Sequence, residues 1–101
     1  MSVMMGLRFQ VDPDRFMEVM GEEDERLRSI AERSKQMGAI HHMFLASDSE
    51  VMAADEWDSE ESFQAFFEAA GQDIGVLMQK AGVNNQPEPR FWKPLPTPDR
   101  F

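Results

Sequence analysis

The stretch EVMAADEWDSEESFQAFFEAA, from Glu50 to Ala70, decides the fold. Val51 to Trp57 is small, apolar or β-branched apart from the adjacent acids Asp55 and Glu56, a composition suited to a strand. Asp58 and Ser59 then offer N-cap oxygens. Glu61 stands three residues after Asp58 as in a capping box, and Glu60 and Glu61 favour the positive end of a helix dipole. Phe63, Phe66, Phe67 and Ala70 follow at i, i+3, i+4 and i+7, so three rings share a stripe that must bury against something flat and apolar. A strand running straight into such a helix calls for a sheet beneath it.

Working outward, Val3, Met5, Leu7, Phe9 and Val11 alternate with Met4, Gly6, Arg8 and Gln10, which reads as a first strand with a wholly apolar odd face. Asp12 followed by Pro13 is a compact helix start, and apolar residues recur at helical spacing from Phe16 to Met37, with Gly38 placed as a stop. A bend or break is expected at Gly21. The acidic run Glu22–Glu25 reads as a solvated face with Glu22–Arg26 and Asp24–Arg28 pairs rather than as a cation site. Ala39 to Ser47 forms a second strand, turned by Asp48 and Ser49 into the third. Beyond Ala70, Gly71 is expected to interrupt the helix, with a second segment capped by Asp73 and ending at Gly82. Arg90 to Leu95 reads as a short edge strand because of Pro94. The order βαββαβ is that of a ferredoxin-like α+β fold, an antiparallel sheet with its helices on one face. Residues 1–95 make one domain and 96–101 a Pro-rich tail.

Composition bounds the function. In 101 residues with net charge −9 the basic residues are scattered, which argues against nucleic acid or an anionic membrane as partners. There is no Cys, hence no thiol chemistry. No stretch approaches the roughly 20 apolar residues of a membrane span, and the apolar run at the N-terminus, broken by Arg8, is short for a signal peptide, so a cytoplasmic location is expected. The first and second strands carry apolar residues on both faces, Met4 beside Met5 and Met43 and Leu45 beside Ile40 and Phe44, whereas a sheet covered on one side is normally polar on the other. A homodimer through the sheets is the expected cover, with Phe101 of the tail as a second anchor. Nine methionines, among them Met4, Met17, Met43 and Met52, are read mostly as core.

The span DEWDSEESFQAFFE resembles the Glu-x-Trp-x-Ser-x-x-x-Phe region of dimeric α/β barrel proteins that include antibiotic-biosynthesis monooxygenases and haem-degrading relatives. The resemblance implies two subunits packed sheet to sheet, each with a small-molecule pocket between sheet and helices, and a cofactor-independent monooxygenase acting on aromatic or polycyclic substrates. It also implies that Trp57 lines the pocket; the residues alone equally allow a core aromatic with its N–H satisfied. Haem-degrading members pair this Trp with an Asn on the first strand and a His on the second helix. Here Leu7 stands near the first position and no His lies between Asp58 and Gly82, so neither haem nor another cofactor is expected.

His41 and His42 are the only histidines, and imidazole is the side chain suited to proton exchange near neutrality. Adjacent on a strand, they face opposite ways, so they form no metal site together and one of the two lines the pocket. His42 is preferred, although a one-residue change of register exchanges it for His41. Asp55 and Glu56 are split likewise and make no carboxylate pair; one of them is expected beside Arg8. Arg8, Asp55 and Trp92 complete the expected pocket neighbours. The competing expectation is a non-catalytic binding or structural homodimer whose pocket is filled by Phe63, Phe66, Phe67 and Met78.

Overall fold

Alternation builds the first strand as expected. The computed structural model describes residues Met1–Phe101, and in it β1 (Val3–Gln10) buries Val3, Met5, Leu7 and Phe9 while Met4, Arg8 and Gln10 are exposed. Two helices follow instead of one, α1 (Pro13–Glu22) and α2 (Asp24–Gln36). Asp12 holds the N-cap position of α1, but its side chain makes no capping hydrogen bond, so the start rests on Pro13. The break falls at Glu23, two residues beyond Gly21, where the backbone leaves helical geometry at φ −104° and ψ 32° and the carboxylate is held by two cations. Lys80 Nζ and Arg26 Nε each donate to it at 3.0 Å. Arg26 also donates to Asp73, at 3.0 Å, so it turns away from Glu22, its expected partner; Asp24 and Arg28 do pair, at 2.7 Å.

The hydrogen bond from Lys80, then that from Arg26, holds the Glu23 carboxyl below the usual carboxylate range. A carboxyl whose folded pKa is depressed stabilises the fold above its unfolded pKa, and that contribution disappears as pH falls through the folded value. Glu23→Gln should therefore be less stable than the parent at neutral pH and equal to it in strong acid. Urea denaturation at both pH values checks this, and a gap that persists in acid would show a different cause.

β2 (Ala39–Ala46) and β3 (Glu50–Trp57) form a hairpin, in which Ser47 N–H donates to the Glu50 carbonyl at 2.9 Å and Ser47 Oγ accepts from Glu50 N–H at 3.2 Å. α3 (Glu60–Ala81) then runs unbroken for 22 residues. Ser59 caps it by accepting from Ser62 N–H at 3.1 Å, and Gly82 closes it at φ +84°. The expected interruption at Gly71 does not occur. Side chains built at Gly71 or Gly75 would meet nothing within 4 Å, so both glycines sit on the outer side of the helix. Each costs about 1 kcal/mol of helix propensity, which the burial of Phe63, Phe66, Ala70, Leu77 and Ala81 on the inner side outweighs. β4 (Arg90–Trp92) is short.

The sheet order is β2-β3-β1-β4 with every neighbouring pair antiparallel, and the three helices cover one face, an α+β ferredoxin-like fold. The core lies between that face and the helices, built from the odd residues of β1, from Val51, Ala53 and Trp57 of β3, and from the inner stripe of α3. The opposite face is uncovered and mixed: Met4, Met43, Leu45 and Trp92 are 40 to 56% exposed there, beside the charged and polar Arg8, Gln10, His41, Glu50 and Glu56. Met4, Met17 and Met43 are thus surface residues rather than core, Met17 on the outer side of α1 and the other two on this uncovered face. No helix is long and apolar enough to cross a membrane.

Candidate functional site

A cleft opens between the sheet and the α2–α3 pair. Its floor is Met5, Leu7 and Phe9 of β1 with Ala53 of β3, its walls are Ile30 and Ser34 of α2 with Phe63, Phe66 and Leu77 of α3, and its rim is formed by Leu27, Ala31, Phe44, Phe67, Ile74 and Met78. The free volume is about 80 Å³. The cleft is apolar except at one corner, where His42 and Asp55 enter the lining; Ser34 contributes an oxygen already used as donor to the Ala31 carbonyl at 2.7 Å.

That corner is a product of strand pairing. β2 and β3 place His42 opposite Asp55, both pointing towards the helices, and His42 Nδ1 lies 2.6 Å from Asp55 Oδ1. The other carboxylate oxygen, Oδ2, accepts the Trp57 indole N–H at 3.0 Å. Asp55 is nearly buried, its side chain 8% exposed, and an indole N–H can only donate. With the carboxylate accepting from both sides, His42 donates from Nδ1, and in the neutral ring Nε2 is then the nitrogen with the lone pair. Nothing in the chain hydrogen-bonds to Nε2. The ring is steadied by an edge-on contact with Phe44, centroids 4.8 Å apart, and Phe44 by another with Phe16 at 5.0 Å. A base whose second nitrogen is oriented by a buried acid is what proton abstraction in an apolar site requires.

Of the residues expected to carry chemistry or bind ligand, His42 and Asp55 therefore meet at the cleft, and His41, Trp57, Arg8 and Trp92 do not line it. His41 faces the opposite side of the sheet, 76% exposed, with Nε2 3.9 Å from Glu56. Trp57 is fully buried behind the corner against Phe63 and Phe66, with its N–H satisfied, and does not line the cleft. Arg8 lies on the uncovered face opposite Met52 and pairs with Glu50 at 2.7 Å, which corrects the expected pairing with Asp55 or Glu56: even positions of β1 face away from the helices, and Glu50 is the even-face acid within reach. Trp92 is on that same face, where its ring covers Gly6; a Cβ on Gly6 would come within 3.3 Å of it. The cleft residues not foreseen are Met5, Leu7 and Phe9 of β1, Leu27, Ile30, Ala31 and Ser34 of α2, Phe44 and Ala53 of the hairpin, and Ile74 and Leu77 of α3. The His42–Asp55 contact is not among the sequence expectations, which set Asp55 or Glu56 beside Arg8; the signal that finds it is the two-residue turn at Asp48 and Ser49, from which counting back brings His42 opposite Asp55.

Comparison with protein-family models and with the sequences of curated proteins gave no match. Solved structures do match. A monooxygenase, ActVA-Orf6 of Streptomyces coelicolor, in complex with the ligand Nanaomycin D, superposes at TM-score 0.70 with 18% identity over 95% of this chain and 89% of that one. SnoaB, a cofactor-independent oxygenase from Streptomyces nogalater, does so at 0.66 with 16% identity over 98% of each chain. A dimeric ferredoxin-like protein from an uncultured marine organism gives 0.66 with 14% identity over 89% of this chain and 84% of that one. At these identities the likeness speaks for the fold. The chain has the ferredoxin-like fold that these structures share.

Proposed function

We propose that this protein is a monooxygenase-like enzyme that binds an aromatic phenol or enol in the cleft and oxidises it with O₂ without a cofactor. The observation that carries the reading is His42, oriented through Nδ1 by Asp55 at 2.6 Å and leaving Nε2 free at the edge of an apolar cleft. The shared fold with a cofactor-independent oxygenase supports it. Nε2 takes the hydroxyl proton, and the resulting anion is electron-rich enough to reduce O₂. One oxygen atom bonds to a ring carbon as a peroxide. Its O–O bond then breaks, with the proton on His42 and the proton of that ring carbon leaving in water, so a phenol and O₂ become a quinone and H₂O and the substrate supplies all the electrons. The reading includes the cytoplasmic location expected from the sequence. Oxygen uptake by the pure protein with phenol as substrate tests it, against a His42→Gln variant as control. Uptake equal in both would remove His42 from the chemistry.

A second reading has its own observation. Phe63, Phe66, Phe67 and Met78 all line the cleft and leave only about 80 Å³ free, as a non-catalytic dimer with a self-filled pocket would. Absence of any uptake or ligand binding favours that reading.

Under either reading we propose that two copies pack their uncovered sheet faces together through Met4, Met43, Leu45 and Trp92, and one relative in fold is itself a dimeric ferredoxin-like protein. Light scattering at micromolar concentration should give twice the 11.6 kDa chain mass. Leu45→Glu, which would bury two uncompensated charges across a two-fold axis, should return the monomer. Leu95 and Phe101 of the 96–101 tail and its approach are also exposed, and removing residues 96–101 should weaken the dimer. A monomeric parent, or a Leu45→Glu dimer of unchanged strength, overturns the sheet-to-sheet arrangement.

A further inference from the structure

The free volume of the cleft, about 80 Å³, sets a limit on what it admits. An apolar cavity of about 150 Å³ accommodates one benzene ring, and sites for drug-sized ligands start near 300 Å³. One ring therefore needs a modest yielding of the walls, and three fused rings need a different cleft. The floor yields least: Met5, Leu7, Phe9 and Ala53 project from β1 and β3, which pair with each other along their whole length, β3 being flanked on its other side by β2 and β1 at Met4–Gly6 by β4. The polar corner yields little as well, since Asp55 is fixed by Trp57 and His42 by Asp55. Yielding falls to the rim. Met78 and Leu27 are flexible and half-buried and can turn aside. Phe67 cannot. Its ring stacks on Phe63 at 5.4 Å and 19°, and Phe63 is held edge-on by Trp57 at 5.5 Å and Phe91 at 5.6 Å, so an aromatic cluster braces Phe67 from behind.

We propose that the cleft accepts a single aromatic ring, anchored through its hydroxyl at His42, and that Phe67 is the residue that sets this limit. The inference rests on the cleft being a ligand site and narrows what it takes. It also makes a prediction of sign. In a cleft without a size limit each added ring buries more apolar surface and binds more tightly; with the limit the order reverses.

The test uses phenol, 1-naphthol and 1-anthrol, which carry the same hydroxyl on one, two and three rings, with binding followed by the NMR shift of the Trp57 indole N–H. The intact protein should bind phenol about tenfold or more tightly than 1-anthrol, a difference of roughly 1.4 kcal/mol. Phe67→Ala should bring 1-anthrol to the tighter place, and Phe67→Leu, which keeps an apolar side chain should the Ala variant fold poorly, should narrow the gap. Tighter binding of 1-anthrol by the intact protein overturns the single-ring limit. An order unchanged in both folded variants overturns the role of Phe67. Failure of all three probes to bind the intact protein and either variant removes the cleft as a ligand site, and this inference with it; binding of phenol without oxygen uptake removes the proposed oxidation alone.

Discussion

Asp55→Asn should move the proton of His42 from Nδ1 to Nε2 and lower any phenol-dependent oxygen uptake by about 10²-fold or more, the range in which a positioned base contributes. The two ends of the Asp55 carboxylate make different demands. Trp57 can only donate, so it claims the amide oxygen of the new Asn, and the amide nitrogen is left facing His42. That nitrogen is a donor. His42 Nδ1 must then accept, its proton goes to Nε2, and the lone pair that the cleft needs is gone while the shape of the site is kept. The readout that separates orientation from mere packing is the ¹⁵N spectrum of the His42 ring, which distinguishes the two tautomers whether or not a substrate is turned over. An Asp55→Asn protein still protonated at Nδ1 would sink the positioning role. A shifted tautomer with undiminished uptake would sink His42 as the base.

The same corner shows where sequence and structure part. The run of Phe63, Phe66 and Ala70 announces a buried helix stripe because period and ring size leave no other use for it, and β1 announces itself by strict alternation. The choice between the histidines is harder because the two ends of β2 give opposite answers. Counted back from the turn, Ser47 faces Glu50, and five steps along each strand bring His42 opposite Asp55. Counted forward from the other end, Ala39 faces Trp57, and alternation from there would put His41 on the helix side. The register shifts between Ala39 and His41, a bulge that leaves Ile40 as the extra residue, 48% exposed. Nothing in AIHHM signals it; no Gly or Pro marks the place. Gly71 fails as a break for a related reason. A glycine lowers helix propensity locally, but whether the helix ends there depends on what its other face buries, and that face holds Ala70 and Leu77 at 0 and 1% exposure. The partner of Arg8 is not legible, since its face follows from alternation while the acid within reach, Glu50 opposite Gln10, follows only from the β1–β3 register.

Trp57→Ala should come close to unfolding the domain. The side chain is wholly buried, with ring centroids 5.5 Å from Phe63 and 5.2 Å from Phe66, and Phe63 passes the contact on to Phe67 and Phe91. Truncating a buried Trp to Ala costs about 3–5 kcal/mol in lost burial and residual cavity. The lost indole N–H leaves Asp55 Oδ2 buried without its donor, a further cost of about 1–3 kcal/mol. Against a total of about 5–15 kcal/mol for a domain of this size, that loss removes a large share of the stability, and the melting temperature should fall by roughly 15 °C or more. Trp57→Phe separates the two contributions. It keeps most of the ring and removes the donor, so it should stay folded, lose about 1–3 kcal/mol, and leave the Asp55 carboxylate free to turn, which weakens its hold on His42 Nδ1. Thermal denaturation measures the first effect and the His42 ¹⁵N spectrum the second. If Trp57→Phe is as stable as the parent and the His42 tautomer is unchanged, the indole N–H does not position Asp55, and Trp57 serves the core through its ring alone.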